Sequence, residues 1–275
     1  MSASRSLRER IAGQSAMSDV VLAQSAVPAR SGLARVFGSS PLTATSRASY
    51  NGALGELLVG DVLENLGSNW DVLHDLPLRE SDEGEPSTCE HILDHLLIGP
   101  AGVFAVHVTN FTDRDVTVVG DQLLVGGEVH HDIDCAHAQA AASEAILSAA
   151  SGSPVTVFPL LVVVEPRRVN VRVAAVGARV IASYQLDRFL SKAPRTLSGT
   201  EIARISDLAD LATTWPEAPD PSLDVQNLHQ RFAVVRNQVR SALLRRVLWG
   251  TAGVAIVYSA VWLLVASLVS AIIKN

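Results

Sequence analysis

From Val247 to Ile273 the chain runs 27 residues without a charge. About 20 apolar residues suffice to cross the hydrocarbon core as a helix, so this stretch is expected to be a transmembrane helix. Before it, Leu228, Phe232, Val235, Val239 and Leu243 mark one face of an amphipathic helix over 225–246. Its other positions include Arg231, Arg236, Arg240, Arg245 and Arg246. Lys274 alone follows the span. The positive-inside rule then expects a single-pass protein of the cell membrane with its preceding domain in the cytoplasm. The arginine helix and Trp249 would meet the headgroups of the lipid bilayer.

Charge is distributed unevenly upstream of that anchor. Residues 51–215 carry 23 acids against ten bases, a net −13, whereas residues 1–50 carry a net +4. Nucleic-acid binding draws much of its affinity from basic side chains that displace counterions. An acidic domain therefore disfavours a nucleic-acid partner and leaves a protein partner open. The two cysteines, Cys89 and Cys135, can make at most one bridge, and two reduced thiols are expected in a cytosolic domain. Cys89-x-His91 and Cys135-x-His137 match each other in spacing, but structural zinc pairs usually separate their ligands by two or more residues.

Residues 1–48, rich in Ser, Ala and Arg, lack a long apolar run and are expected to be a disordered basic tail. Order is expected from about residue 49 to 215. Apolar residues at helical spacing fill 52–66, and Gly67 stops that helix. Strands are expected at Trp70–Leu76, His91–Ile98 and Val103–Thr109, with an acidic loop, Arg79–Glu90, between the first two. His74 and His95, on the first two strands, are expected to help the sheet pack or hydrogen-bond. A hairpin turns at Gly120-Asp121, an alanine-rich helix covers Ala136–Ala150, and Val155–Glu165 reads as a strand buried on both faces. Strands at Val169–Val173 and Ala178–Ser183 and helices at Leu186–Lys192 and Glu201–Thr214 follow, the last capped by Ser198 or Thr200. Residues 216–224 form a Pro-rich linker. The order implies an α/β domain around a mixed sheet.

Within that domain Asp94 lies on one strand, and His107 follows thirteen residues later on the next, with Thr109 two further on. Alternation sends His107 and Thr109 to one face and Val106 and Val108 to the other. Lys192 and Lys274 are the only lysines, so none lies in 51–191.

Gly55-Glu56, Trp70-Asp-Val-Leu-His-Asp75 and Leu93-Asp94-His95-Leu-Leu-Ile98-Gly-Pro-Ala-Gly102-Val-Phe104 carry a resemblance. Residues 50 to about 165 resemble the nuclease-related domain (NERD) family of the PD-(D/E)XK restriction-endonuclease-like fold. The family continues with an apolar residue, then Glu-Thr-Lys-Asn, where this chain reads Val106-His107-Val108-Thr109-Asn110. A Gly-Asp turn and a helix bearing Gln139 follow in the family's order. The resemblance implies a restriction-endonuclease-like mixed sheet flanked by helices. It also implies ancestral catalytic positions at Glu56, Asp94, His107, Thr109 and Gln139, with Glu56 and Asp94 as metal ligands.

Two changes cut against that chemistry. Mg²⁺ prefers hard oxygen ligands, so His107 is a poor exchange for a carboxylate. Thr109 cannot supply the positive charge that stabilises a developing negative phosphate. Arg114 is the nearest cation along the chain, and a guanidinium does not replace a compact ammonium. The expectation is a membrane-anchored pseudonuclease acting as a binding or regulatory module. Its alternative is a metal-dependent nuclease of DNA or RNA that uses Glu56, Asp94 and His107, with Arg114 or Gln139 helping. Such a two-acid, one-histidine set would suit Mn²⁺ or Zn²⁺ better than Mg²⁺.

Overall fold

The computed structural model describes residues 7–28, 30–78, 91–216 and 224–273. The first helices are α1 (Gln14–Ser25), α2 (Gly32–Val36) and α3 (Ala44–Glu64). Strands β1 (Asp71–Pro77), β2 (Ile92–Gly99), β3 (Gly102–Asn110), β4 (Asp115–Val119), β5 (Gln122–Val125) and β6 (Glu128–His130) lead into α4 (Asp132–Ser151). Then come β7 (Val157–Val164), β8 (Arg168–Val173), β9 (Arg179–Ala182), α5 (Leu186–Lys192), α6 (Gly199–Asp210) and α7 (Val225–Ile273). Two compact units result: residues 1–18 with 48–225, and residues 19–47 with 226–275.

The first unit holds both sheets. One has the order β1-β2-β3-β7-β9, and the other β6-β5-β4-β8. Strands β1 to β3 are antiparallel, while β3, β7 and β9 are parallel. This is the expected mixed α/β sheet. The hairpin expected at Gly120-Asp121 is the β4–β5 pair. Parallel pairing of β4 with β8 completes the smaller sheet.

The apolar alternation decides which helix covers which face. Val106 and Val108 of β3 cluster with Leu160 and Val162 of β7 and with Val59 and Leu63 of α3. Gly55 makes that approach close, because a methyl there would lie 3.3 Å from Asn110 Cβ and from Val164 Cγ2. On the other face, Val103 and Ala105 cluster with Ala140 and Leu147 of α4. Each fully buried Leu or Val of this kind stabilises by roughly 1.5–3 kcal/mol. Helix α4 ends at Gly152 in the left-handed region, and Ser198 opens α6 in a reciprocal cap with Glu201.

Three expectations need correction. The segment expected to be a disordered tail over 1–48 is helical from Leu7, and Leu7, Met17 and Val20 are fully buried. Its charges find distant partners. Asp75, buried and at φ +56°, accepts from Ser15 N at 2.8 Å and pairs with Arg10. Arg8 clasps Asp71 with two hydrogen bonds of 2.6 and 2.7 Å, and its backbone N–H donates to Asp210. Second, the two helices expected at 225–246 and 247–273 are one helix, α7, of 49 residues. Leu228, Phe232, Val235 and Ala242 are its buried stripe, with Ala242 in place of the expected Leu243. Third, Cys135 is disulfide-bonded rather than a free thiol, which removes it from any zinc set. Cys89, the acidic loop 79–90 and linker residues 217–223 lie outside the described residues.

From 247 to 266, α7 is largely apolar and exposed. Val254, Tyr258 and Leu263 are each about 70% exposed. The helix is long and apolar enough to cross a membrane.

Candidate functional site

Pairing of β2 with β3 runs from Gly99 and Gly102 to His95 and Val106. Beyond that point Asp94 Oδ2 accepts the Val108 N–H at 2.6 Å, a side chain taking over where the ladder stops. His107 Nδ1 lies 3.1 Å from the same oxygen. The contact is an ion pair when the imidazole is protonated. On the far side of the ring, Nε2 is 3.8 Å from Asp132 Oδ1. His130 Nδ1 stands 4.0 Å from Asp132 Oδ2 and packs edge-on against Phe111.

The local sequence explains this assembly. His107 stays paired with Leu161 of β7, so its side chain joins the face lined by Leu161 and Val163, away from α3. Asp132 opens α4, where a carboxylate complements the partial positive charge of the helix start. Ala136 and Gln139 continue the buried face of α4 at spacings of four and seven. Gln139 is 2% exposed and donates to Ile92 O at 2.9 Å, which ties α4 to the start of β2.

Burial opposes a charge on His107. The Asp94 carboxylate, and then Asp132, outweigh burial and raise its pKa above the usual value. A protonated imidazole between two carboxylates is a fixed internal cation, and it can also hold or return a proton at Nε2.

The structure thus brings together Asp94 and His107, adds Asp132 and His130, and braces them through Gln139. Thr109 is buried on the same face, paired in register with Val163. Glu56 stands on α3, the helix covering the opposite face of β3, where its Cβ lies by Gly13. Arg114 lies over Gly126 beside the smaller sheet. Lys192 lines a different cavity, with Phe104, Phe158 and Phe189. Among the described residues no three His, Cys, Asp or Glu side chains are grouped to hold a metal ion. Sequence reasoning does not find Asp132; the acid opening a helix is the one signal available for it.

The residue after Asp94 is His95, whose side chain lies on the opposite face of the strand. His95 is fully buried and meets His74, Nδ1 to Nδ1, at 2.8 Å. Burial lowers the His74 pKa to about 4 and that of His95 well below its usual value. These two serve packing and hydrogen bonding, as their places on the strands suggest.

No curated protein and no solved structure shows a match to the chain. Residues 51–164 do match the family model described as the nuclease-related domain. The match ends with β7 and contains Glu56, Asp94, His107, Asp132 and Gln139, so the assembly around His107 lies within the segment that is similar to a nuclease-related domain.

Proposed function

We propose that this chain is a membrane-anchored nuclease-related protein whose domain binds or regulates rather than cleaves. One observation carries the reading: the His107 imidazole, ion-paired to Asp94 at 3.1 Å, stands where the resemblance expects a second metal-binding acid. A charged imidazole supplies the positive charge that a divalent ion would otherwise bring to Asp94. A metal would require His107 to be neutral, and Asp94 and Asp132 both favour its protonation. The Asp94 oxygen is also committed to the Val108 N–H. With Glu56 on a helix of the opposite face, this donor set fits Mg²⁺ poorly.

The test is a nuclease assay on full-length protein with Mg²⁺, Mn²⁺ or Zn²⁺ against a chelator, on single- and double-stranded DNA and RNA. We expect no metal-dependent turnover. Cleavage that needs a metal and disappears in Asp94→Ala would establish the enzyme reading instead.

The domain is assigned to the cytoplasmic face, on five arginines before the span against one lysine after it. The Cys135 disulfide pulls the other way, because cytosolic thiols are kept reduced. Protease protection in right-side-out and inverted vesicles decides: digestion of the domain only in inverted vesicles is the expected result.

A further inference from the structure

The second unit, residues 19–47 with 226–275, contains nine basic residues and a single acid, Asp19. Three of its arginines, Arg30, Arg35 and Arg245, line a cavity of about 390 Å³ together with the neutral polar groups of Gln24, Gln238 and Ser241. Among the described residues no carboxylate lines it. Arg30 donates to Ser39 O at 2.6 Å and to Gln238 Oε1 at 3.3 Å, and Arg245 donates to Arg35 O at 2.6 Å. A guanidinium has five N–H donors, so these bonds fix the side chains and leave donors to spare. Burial and the like charges of Arg35 and Arg245 lower the Arg30 pKa from its usual value, as crowding of uncompensated cations should.

The walls are held firmly. Gly38, at φ +74°, lies so close to α7 that a methyl group there would meet Ala242 O at 2.4 Å. Arg246 Nε donates to Gly38 O at 2.6 Å. Trp249 donates to Val36 O at 2.9 Å and packs on Phe37 at 5.2 Å, with both rings about half exposed.

Depth along α7 selects the ligand. Arg245 precedes the charge-free run by two residues and Ser241 by six, which is about 3 and 9 Å along a helix axis. The headgroup layer on each side of the hydrocarbon core is roughly 5–8 Å deep. Exposed Phe37 and Trp249 suit the same layer.

We propose that this cavity binds the phosphate of an anionic phospholipid headgroup, with Arg30, Arg35 and Arg245 as its cationic donors. The proposal rests on the membrane reading of α7. Soluble phosphate shares the recognised chemistry, and the test separates the two. Full-length protein in neutral detergent is titrated with phosphatidylglycerol, phosphatidylcholine and inorganic phosphate, and bound lipid is counted by native mass spectrometry. Phosphatidylglycerol is expected to bind in preference to phosphatidylcholine and to resist an equal concentration of inorganic phosphate. Arg35→Gln should weaken it roughly fivefold, about the value of one arginine at an anionic surface, while Arg35→Lys keeps most of the binding. Ser241→Glu, which adds a carboxylate to the wall, should abolish the preference, and an unchanged circular dichroism spectrum checks its fold. Equal retention of both lipids, indifference to Arg35→Gln and Ser241→Glu, or displacement by equimolar inorganic phosphate each overturns the proposal. Carbonate-washed liposome flotation tests the membrane reading separately. A chain that floats yet shows no lipid preference overturns the cavity alone.

Discussion

Asp94 and His95 are neighbours on β2, yet they belong to two histidine sites of opposite character on the two faces of one sheet. On the α4 face, carboxylates draw a proton onto His107. On the α3 face, His74 and His95 have each other as nearest partner, and burial drives both neutral against the weaker pull of Asp75 on His74. Both sites are set well into the protein. The difference is the charge of the nearest partner, which shows that a histidine's state is decided by what shares its cavity more than by its depth.

The comparison can be broken most directly at Asp94. Asp94→Ala removes both the counter-charge of His107 and the acceptor of the Val108 N–H, and should cost about 3–4 kcal/mol in urea unfolding. His107, followed by NMR titration, should then titrate at lower pH; an unmoved midpoint would show that Asp94 is not what holds the proton.

Acidification should separate the two faces. His74 has a folded pKa of about 4 against about 6.5 unfolded, so the unfolded chain binds more protons between those values. Stability is expected to fall by about 3 kcal/mol as pH drops from 6.5 to 4. His107 has the opposite sign: its raised folded pKa gives stability that is present below the unfolded pKa and lost as pH rises through the folded one. Unfolding measured across this range should show the His74 loss at the acid end. A flat acid limb would contradict it.

Replacing both members of the buried pair sharpens the assignment. His74→Phe with His95→Leu leaves no orphaned ring nitrogen, so stability at pH 8 should stay within about 1 kcal/mol of the parent. The same variant should outlast the parent near pH 5. Persistence of the acid sensitivity would place its source elsewhere. The smallest effect belongs to Asp132→Asn. At 3.8 Å this pair should contribute about 0.5 kcal/mol, with a lower His107 midpoint as its NMR signature.

Much of this arrangement is legible without any coordinates. Period-two alternation sends His107 and Thr109 to one face of the strand and Val106 and Val108 to the other, and the resemblance adds that the first face carries the ancestral site positions. Asp132 is not legible, because it reaches His107 only after the chain passes through the smaller sheet and returns at the start of α4. The placement of Glu56 likewise depends on which face α3 covers, and helical spacing does not choose a face. Residues 7–28 mislead for a related reason. Leu7, Met17 and Val20 are too sparse to mark a core segment, and Arg10 looks solvated until Asp75 lies beside it.

The hydrogen bond from Arg8 N to Asp210 bears on how the chain is made. Its partners are 202 residues apart. At about 5–20 residues per second, the ribosome needs roughly 10–40 s to supply the second after the first. The bonds of Arg8 and Ser15 to Asp71 and Asp75 can form once β1 has been made, whereas the tie to Asp210 must wait until the end of α6 has been translated.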